Sequence, residues 1–100
     1  MNNNSKLPNK NCDLYRAVLE LRDPEECFAF FSDLCTVAEL KAIEQRFTIA
    51  QMLSQGMIYS EILEKTGASS ATVSRVNRSI NFGMDSYAKL FARMEKKDEE

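Results

Sequence analysis

The chain of 100 residues contains no histidine, only three glycines and only two prolines. Without histidine, acid–base catalysis near neutral pH lacks its commonest side chain. There is no glycine-rich phosphate-binding loop, no pair of carboxylates in an apolar setting, and no base partner that would activate a cysteine. We therefore expect that the protein is not an enzyme.

Cysteine is also scarce. The three cysteines, Cys12, Cys27 and Cys35, are odd in number and show no CxxC spacing. With no histidine to complete a ligand set, a structural zinc site would lack its fourth donor. We expect free thiols that pack as small hydrophobic groups, and we expect no metal site.

Long apolar runs are absent, and none approaches the roughly 20 residues that a membrane-spanning helix needs. The first residues carry two lysines with no apolar segment behind them, so they do not resemble a signal peptide. Residues 1–10 are polar and rich in asparagine, and they are predicted to form a flexible N-terminal arm. We expect a cytoplasmic protein that does not associate with membranes.

The net charge is −2, whereas DNA-binding domains are often basic because phosphate contacts supply much of their affinity. The charge is distributed unevenly along the chain. Between Lys41 and Phe82 there are five basic and three acidic residues, while acidic residues concentrate at 23–26 and at the C-terminal end. The middle of the chain is therefore weakly positive, and a dimer would double that patch.

Apolar residues recur at helical spacing along most of the chain, and no stretch alternates with the period of a strand. This spacing predicts a first helix over residues 11–22. A second helix is predicted to begin after Asp23, which can cap exposed amides, with Pro24 at the first helical position. Thr36 and Glu39 have the spacing of a capping box and predict the start of a third helix.

The third helix is predicted to run to Gln55 and to end at Gly56. Its apolar positions are Val37, Leu40, Ile43, Phe47, Ile49, Ala50, Met52 and Leu53. This stripe is wider than one core face of a short chain requires. We expect the third helix to be the central helix of the fold and also to contact a second chain.

Residues 57–80 read MIYSEILEKTGASSATVSRVNRSI. A short helix over residues 59–66 is predicted to end at Gly67, where a left-handed backbone has no steric cost. A second helix over residues 70–80, with Ser70 as its N-cap, is predicted to follow the turn. Two helices joined by a short glycine turn are typical of a helix-turn-helix, whose second helix contacts base edges in the major groove.

The outward side chains of the second helix suit DNA reading. Those near its N-terminus are small, so the helix can approach the bases, and their hydroxyl and methyl groups can contact base edges. Two arginines farther along the helix can reach phosphates or a guanine. The predicted DNA-binding residues are Lys65, Ser69, Ser70, Ala71, Thr72, Ser74, Arg75, Asn77 and Arg78. An ordinary helical hairpin with a hydroxyl-rich surface is the alternative interpretation of the same pattern.

Two blocks of the sequence resemble the YerC/YecD family of Trp-repressor-related proteins. The segment from Leu34 to Gly56 carries the patterns ELxxIxQR and AxxLxxG, and the block TGASSATVSRV spans Thr66 to Val76. The resemblance covers about residues 12–90.

The resemblance implies an all-α, Trp-repressor-like fold of six helices, with a helix-turn-helix over residues 59–80 and a last helix over residues 85–95. It also implies that two chains intertwine as a homodimer through their N-terminal helices and the last helix. Residues 11–96 would then form a single helical domain, followed by a frayed charged tail at 97–100.

The function implied by the resemblance is that of a bacterial transcriptional regulator. The homodimer would act as a repressor by binding a near-palindromic operator in double-stranded DNA. The acidic net charge and the modest basic patch leave one alternative open, which is a helical protein–protein interaction module that has kept the fold without specific DNA binding.

The resemblance also indicates where a small effector would bind. The Trp repressor holds L-tryptophan between two arginines, which correspond to Arg46 and Arg75. Thr36 and Ser79 match other pocket positions. The residue after the second arginine is a glycine in the repressor but Val76 here, and its branched side chain would crowd an indole; the turn before the helix-turn-helix glycine is also one residue shorter. We expect no resident cofactor, leave an amino-acid effector open, and do not expect L-tryptophan to bind.

Overall fold

A computed structural model describes residues 9–99 and shows six α-helices, with no strand among those residues. In chain order they are α1 (Asp13–Val18), α2 (Pro24–Leu34), α3 (Val37–Ser54), α4 (Tyr59–Thr66), α5 (Ser70–Phe82) and α6 (Ser86–Glu99). The predicted all-α class is confirmed. The described helices group into two compact units, residues 9–37 and residues 38–99. The predicted arm at 1–10 lies outside the described residues except for its last two positions.

The first unit contains α1 and α2. Helix α1 is shorter than the predicted helix over residues 11–22, because the chain after Val18 forms a tighter turn in which the amide of Glu20 donates to the carbonyl of Ala17 at 3.0 Å. The predicted start of α2 is confirmed. The carboxylate of Asp23 accepts from the amide of Glu26 at 2.8 Å, and a proline occupies the first turn.

The helices of the first unit bury none of their side chains. Leu19 is 83% exposed and Phe28 is 64% exposed, although each is large and apolar. Contiguous exposed apolar side chains are unusual on a monomeric protein and are typical of surfaces that another chain covers.

The second unit has a compact core built from three helices. Its fully buried residues are Ile49 and Ala50 from α3, Ile62 from α4, and Val73 and Val76 from α5. The apolar positions at helical spacing in residues 59–80 therefore face inward, since Leu63 and Ile80 are also half-buried against the same core. Helix α3 supplies the base on which α4 and α5 pack.

Aromatic contacts join α6 to α3 within the second unit. Phe91 packs edge-on against Phe47 with 5.4 Å between ring centroids, and it stacks with Tyr87 at 5.8 Å. Helix α6 begins one residue after the predicted start and extends to Glu99. The backbone of residues 97–99 continues this helix, and fraying of the charged tail at 97–100 stays a prediction. That residues 11–96 act as a single domain stays a prediction.

No helix among residues 9–99 is long and apolar enough to cross a lipid bilayer.

The end of α5 requires a glycine. The amide of Gly83 donates to the carbonyl of Ser79 at 3.0 Å, and a Cβ atom at position 83 would overlap that same carbonyl oxygen. Changing Gly83→Ala is therefore expected to destabilise the fold by about 1–3 kcal/mol, the usual cost of forcing an extra methyl group into a packed site. Urea denaturation followed by circular dichroism measures this loss. An unchanged midpoint would show that the α5–α6 connection adapts at no cost.

Candidate nucleic-acid interface

Helix α4 and helix α5 are joined by the short turn that the sequence predicts. Gly67 ends α4 in the left-handed conformation, with φ at +70°, and its amide donates to the carbonyl of Leu63 at 2.9 Å. The hydroxyl of Thr66 donates to the carbonyl of Ile62 at 2.8 Å and accepts from the amide of Ala68 at 3.2 Å. This hydroxyl fixes the path of the turn, a role that no local sequence pattern indicates.

The N-cap of α5 is Ser69, so the prediction that Ser70 caps this helix is wrong. The hydroxyl oxygen of Ser69 accepts from the amide of Thr72 at 3.1 Å and lies 3.0 Å from the hydroxyl of Thr72. Ser70 is already helical and exposed. Both serines carry the same chemistry, and only the backbone conformation distinguishes which of them caps the helix.

Loss of this cap provides a test that separates the two serines. Ser69→Ala is expected to lower the free energy of unfolding by about 0.5–2 kcal/mol, since the exposed amide of Thr72 loses its partner. Ser70→Ala is the matched control and is expected to change it by less than about 0.5 kcal/mol. Thermal denaturation at one fixed protein concentration measures both. Equal losses for the two variants would contradict the assignment of the cap.

The structure sorts the predicted DNA-binding residues into two groups. Ser69 and Thr72 bind each other at the start of α5, and Thr72 and Asn77 are half-buried. Ser69 is exposed, and so are the remaining members, which are Lys65, Ser70, Ala71, Ser74, Arg75 and Arg78. The exposed members on α5 are small near its N-terminus and cationic farther along, which is the order that the sequence predicts.

The three cationic residues of the predicted DNA-binding set form no ion pair among the described residues. The salt bridge found among residues 9–99 joins Arg16 to Asp13 within α1, so Arg75, Arg78 and Lys65 have no carboxylate within 4.0 Å. An unpaired and exposed guanidinium keeps all of its donors available for a phosphate or a base.

The predicted effector residues lie on different elements. Arg46 is exposed on α3 and Arg75 is exposed on α5, whereas Thr36 belongs to the first unit. The hydroxyl of Ser79 donates to the carbonyl of Val76 at 2.7 Å, which uses its proton within the helix. Val76 is 2% exposed because its side chain packs into the core of the second unit.

Metal ligands do not converge in the part of the chain that the structure describes. Residues 9–99 contain no group of three or more cysteine, aspartate or glutamate side chains placed to hold one ion. The three cysteines are free thiols, with Cys12 exposed and the other two half-buried.

Comparison with known proteins places this architecture in a family. A family model described as Trp repressor protein matches residues 11–95. YerC of Bacillus subtilis, described as uncharacterised, is 44% identical over 96 residues, which cover 95% of this chain and 92% of that protein.

Two solved structures share both sequence and fold with the chain. A TrpR-like protein from Eubacterium eligens is 48% identical with a TM-score of 0.80, over 83% of this chain and 86% of its own. A candidate Trp repressor from Staphylococcus aureus is 46% identical with a TM-score of 0.80, over 83% of each chain. The all-α architecture is therefore a Trp-repressor-like fold, as the sequence predicts. The chain belongs to the Trp repressor family, whose members are regulators and not enzymes.

Proposed function

We propose that this protein is a sequence-specific DNA-binding transcriptional regulator that acts as a repressor. The observation that supports the proposal is the N-terminal half of α5, whose exposed side chains are small. Its buried side packs against α3 and α4. Val73 and Val76 are buried against Ile49 and Ile62, so the outward face of α5 keeps a fixed orientation. A helix presented in this way suits insertion into the major groove.

The exposed side chains of α5 support direct reading of bases. Ser70, Ala71 and Ser74 bring hydroxyl and methyl groups to the leading end of the helix without blocking close approach. Arg75 and Arg78 follow on the same exposed surface, where they can contact phosphates or a guanine. Thr72 and Asn77 are half-buried, so less of each side chain is available to contact a base.

A homodimer is the second part of the proposal. The first unit buries no side chain of its own, and Leu19, Phe28 and Val37 are each more than half exposed. Val37 and Ile43, two members of the wide apolar stripe of α3, are also exposed. In the proposed homodimer, a second copy covers these side chains, and the two reading helices would bind half-sites about 34 Å apart in a near-palindromic site.

Binding-site selection on the purified full chain tests the function. We expect recovered sequences to share a near-palindrome with half-sites one helical turn apart, and binding to weaken steeply as salt rises. The minimum result that the proposal requires is that the protein retains genomic DNA fragments in a gel shift at low salt. No retention at low salt, together with capture of a protein partner, would favour the interaction module over the regulator.

The proposed regulator works without L-tryptophan. Val76 stands where the repressor has a glycine after its second pocket arginine, and the hydroxyl of Ser79 is already bonded to the helix backbone. The selected duplex should therefore be bound with the same affinity in the presence and absence of L-tryptophan. Repeating the titration with a mixture of the other amino acids shows whether a different effector strengthens binding, as linkage between two sites requires.

A further inference from the structure

A groove of about 280 Å³ lies between α3 and the C-terminal end of α4. Lys41 of α3 and Lys65 of α4 both line it, and so does Glu44. Gln45 and Thr66 also line it, and the groove is open to solvent. It is separate from the exposed face of α5 and from the effector positions Arg46, Arg75 and Ser79.

The groove is fixed in position relative to the reading helix. The side-chain amide of Gln45 donates to the carbonyl of Thr66 at 3.3 Å, which ties α3 to the last residue of α4. The hydroxyl of Thr66 then binds the amide of Ala68 in the turn that leads to α5. Through Thr66, these hydrogen bonds connect residues that line the groove to the turn that precedes α5.

The two lysines of the groove have no ionic partner. Neither Lys41 nor Lys65 has a carboxylate within 4.0 Å among the described residues, although Glu44 lines the same groove. The ammonium groups are exposed, and they outnumber the carboxylate in the groove. An ammonium on a flexible stem is a point charge well suited to a phosphate oxygen.

We propose that this groove binds the phosphate backbone of DNA outside the bases that α5 reads. Lys41 and Lys65 supply the cations, and Glu44 opposes them and limits the strength of the contact. The proposal rests on the proposed function and adds a sequence-independent anchor to it. An open groove fits a phosphodiester chain that passes across it better than a small molecule, which needs enclosure on most sides.

Salt dependence measures the number of phosphates that the protein neutralises. The proposed homodimer carries each substitution in both copies, so replacing one lysine that binds a phosphate should reduce the steepness of log affinity against log salt by about 1.8, which is about 0.9 for each copy. Between about 50 and 200 mM salt, the affinity of a variant should therefore fall by a factor roughly 12 times smaller than that of the unmodified protein. The variants are Lys41→Gln and Lys65→Gln, and Lys89→Gln on α6 is the control for loss of one charge elsewhere in the second unit.

Each variant is titrated against two probes, the duplex recovered by selection and a random-sequence duplex. A backbone contact carries no sequence information, so both lysine variants should weaken binding to the two probes by the same factor. Lys89→Gln should leave the salt slope unchanged. Glu44→Gln should strengthen binding to both probes, and Glu95→Gln on α6 is its matched control.

The results of these titrations distinguish failure of the groove proposal from failure of the proposed function. If the unmodified protein binds DNA and both lysine variants keep its salt slope, the groove proposal is overturned while the function stands. If Lys41→Gln and Lys65→Gln reduce affinity for one probe only, the lysines read sequence and the proposal of a backbone anchor is again overturned. Failure of the unmodified protein to bind either probe overturns the proposed function itself.

Discussion

Replacing Ile62 by alanine is expected to lower the free energy of unfolding by about 2–5 kcal/mol, which is the usual cost of removing a large buried side chain. Ile62 is 0% exposed and packs with Ile49 and Ala50 of α3 and with Val73 of α5. It therefore lies at the point where the three helices of the second unit meet. A cavity at this position weakens the support of α5 as well as the core.

Urea denaturation at one fixed protein concentration measures this effect. The chain offers a matched control four residues earlier, because Ile58 is 66% exposed and caps the start of α4 without a side-chain hydrogen bond. Ile58→Ala should change the free energy of unfolding by less than about 0.5 kcal/mol. Similar losses for both variants would mean that Ile58 is covered in the assembled protein.

Replacing Arg75 by alanine is expected to weaken binding to the selected duplex by about 1–3 kcal/mol, or roughly 5- to 150-fold. Arg75 is exposed on α5, just beyond the small residues, and no described carboxylate competes for its guanidinium. Its removal should cost little stability, since its side chain contributes nothing to the buried core. The binding titration and the denaturation midpoint together distinguish a lost contact from a lost fold.

Two further variants sharpen the interpretation of Arg75. Arg93→Ala on α6 removes the same side chain from an exposed position outside α4 and α5, and should leave specific affinity nearly unchanged. Arg75→Lys keeps the charge but not the planar fork of donors. If Arg75 reads a guanine, lysine should retain binding to random duplex and lose preference for the selected one. If lysine restores both, Arg75 contacts a phosphate.

The element boundaries that the sequence predicts well are those with a chemical signal at the end of a helix. Asp23 with Pro24 defines the start of α2, and the glycines at 56 and 67 adopt the left-handed backbone that ends α3 and α4. The start of α5 is harder to predict from the sequence, because Ser69 and Ser70 have the same capping chemistry and only the backbone conformation distinguishes them. The end of α1 has no such signal, and its prediction was too long by several residues.

The candidate site, like the helix boundaries, could be predicted from the sequence only in part. Periodicity identifies which residues of α5 face outward, because Val73, Val76 and Ile80 define the buried side. Hydrogen bonds between distant parts of the chain leave no local pattern. The bond from Gln45 to Thr66 joins residues 21 positions apart, and nothing in the sequence near either residue indicates it. The groove that contains both lysines could be found only from the structure.

In the proposed homodimer, the exposed apolar side chains of the first unit would make the concentration of the protein in the cell part of the regulatory mechanism. When a second copy covers Leu19, Phe28 and Val37, the share of assembled protein rises with total concentration, as mass action requires. Each assembled pair also occupies an operator in proportion to its own abundance. A small change in synthesis would then produce a larger change in occupancy, so the gene for this protein would set the threshold at which its targets respond.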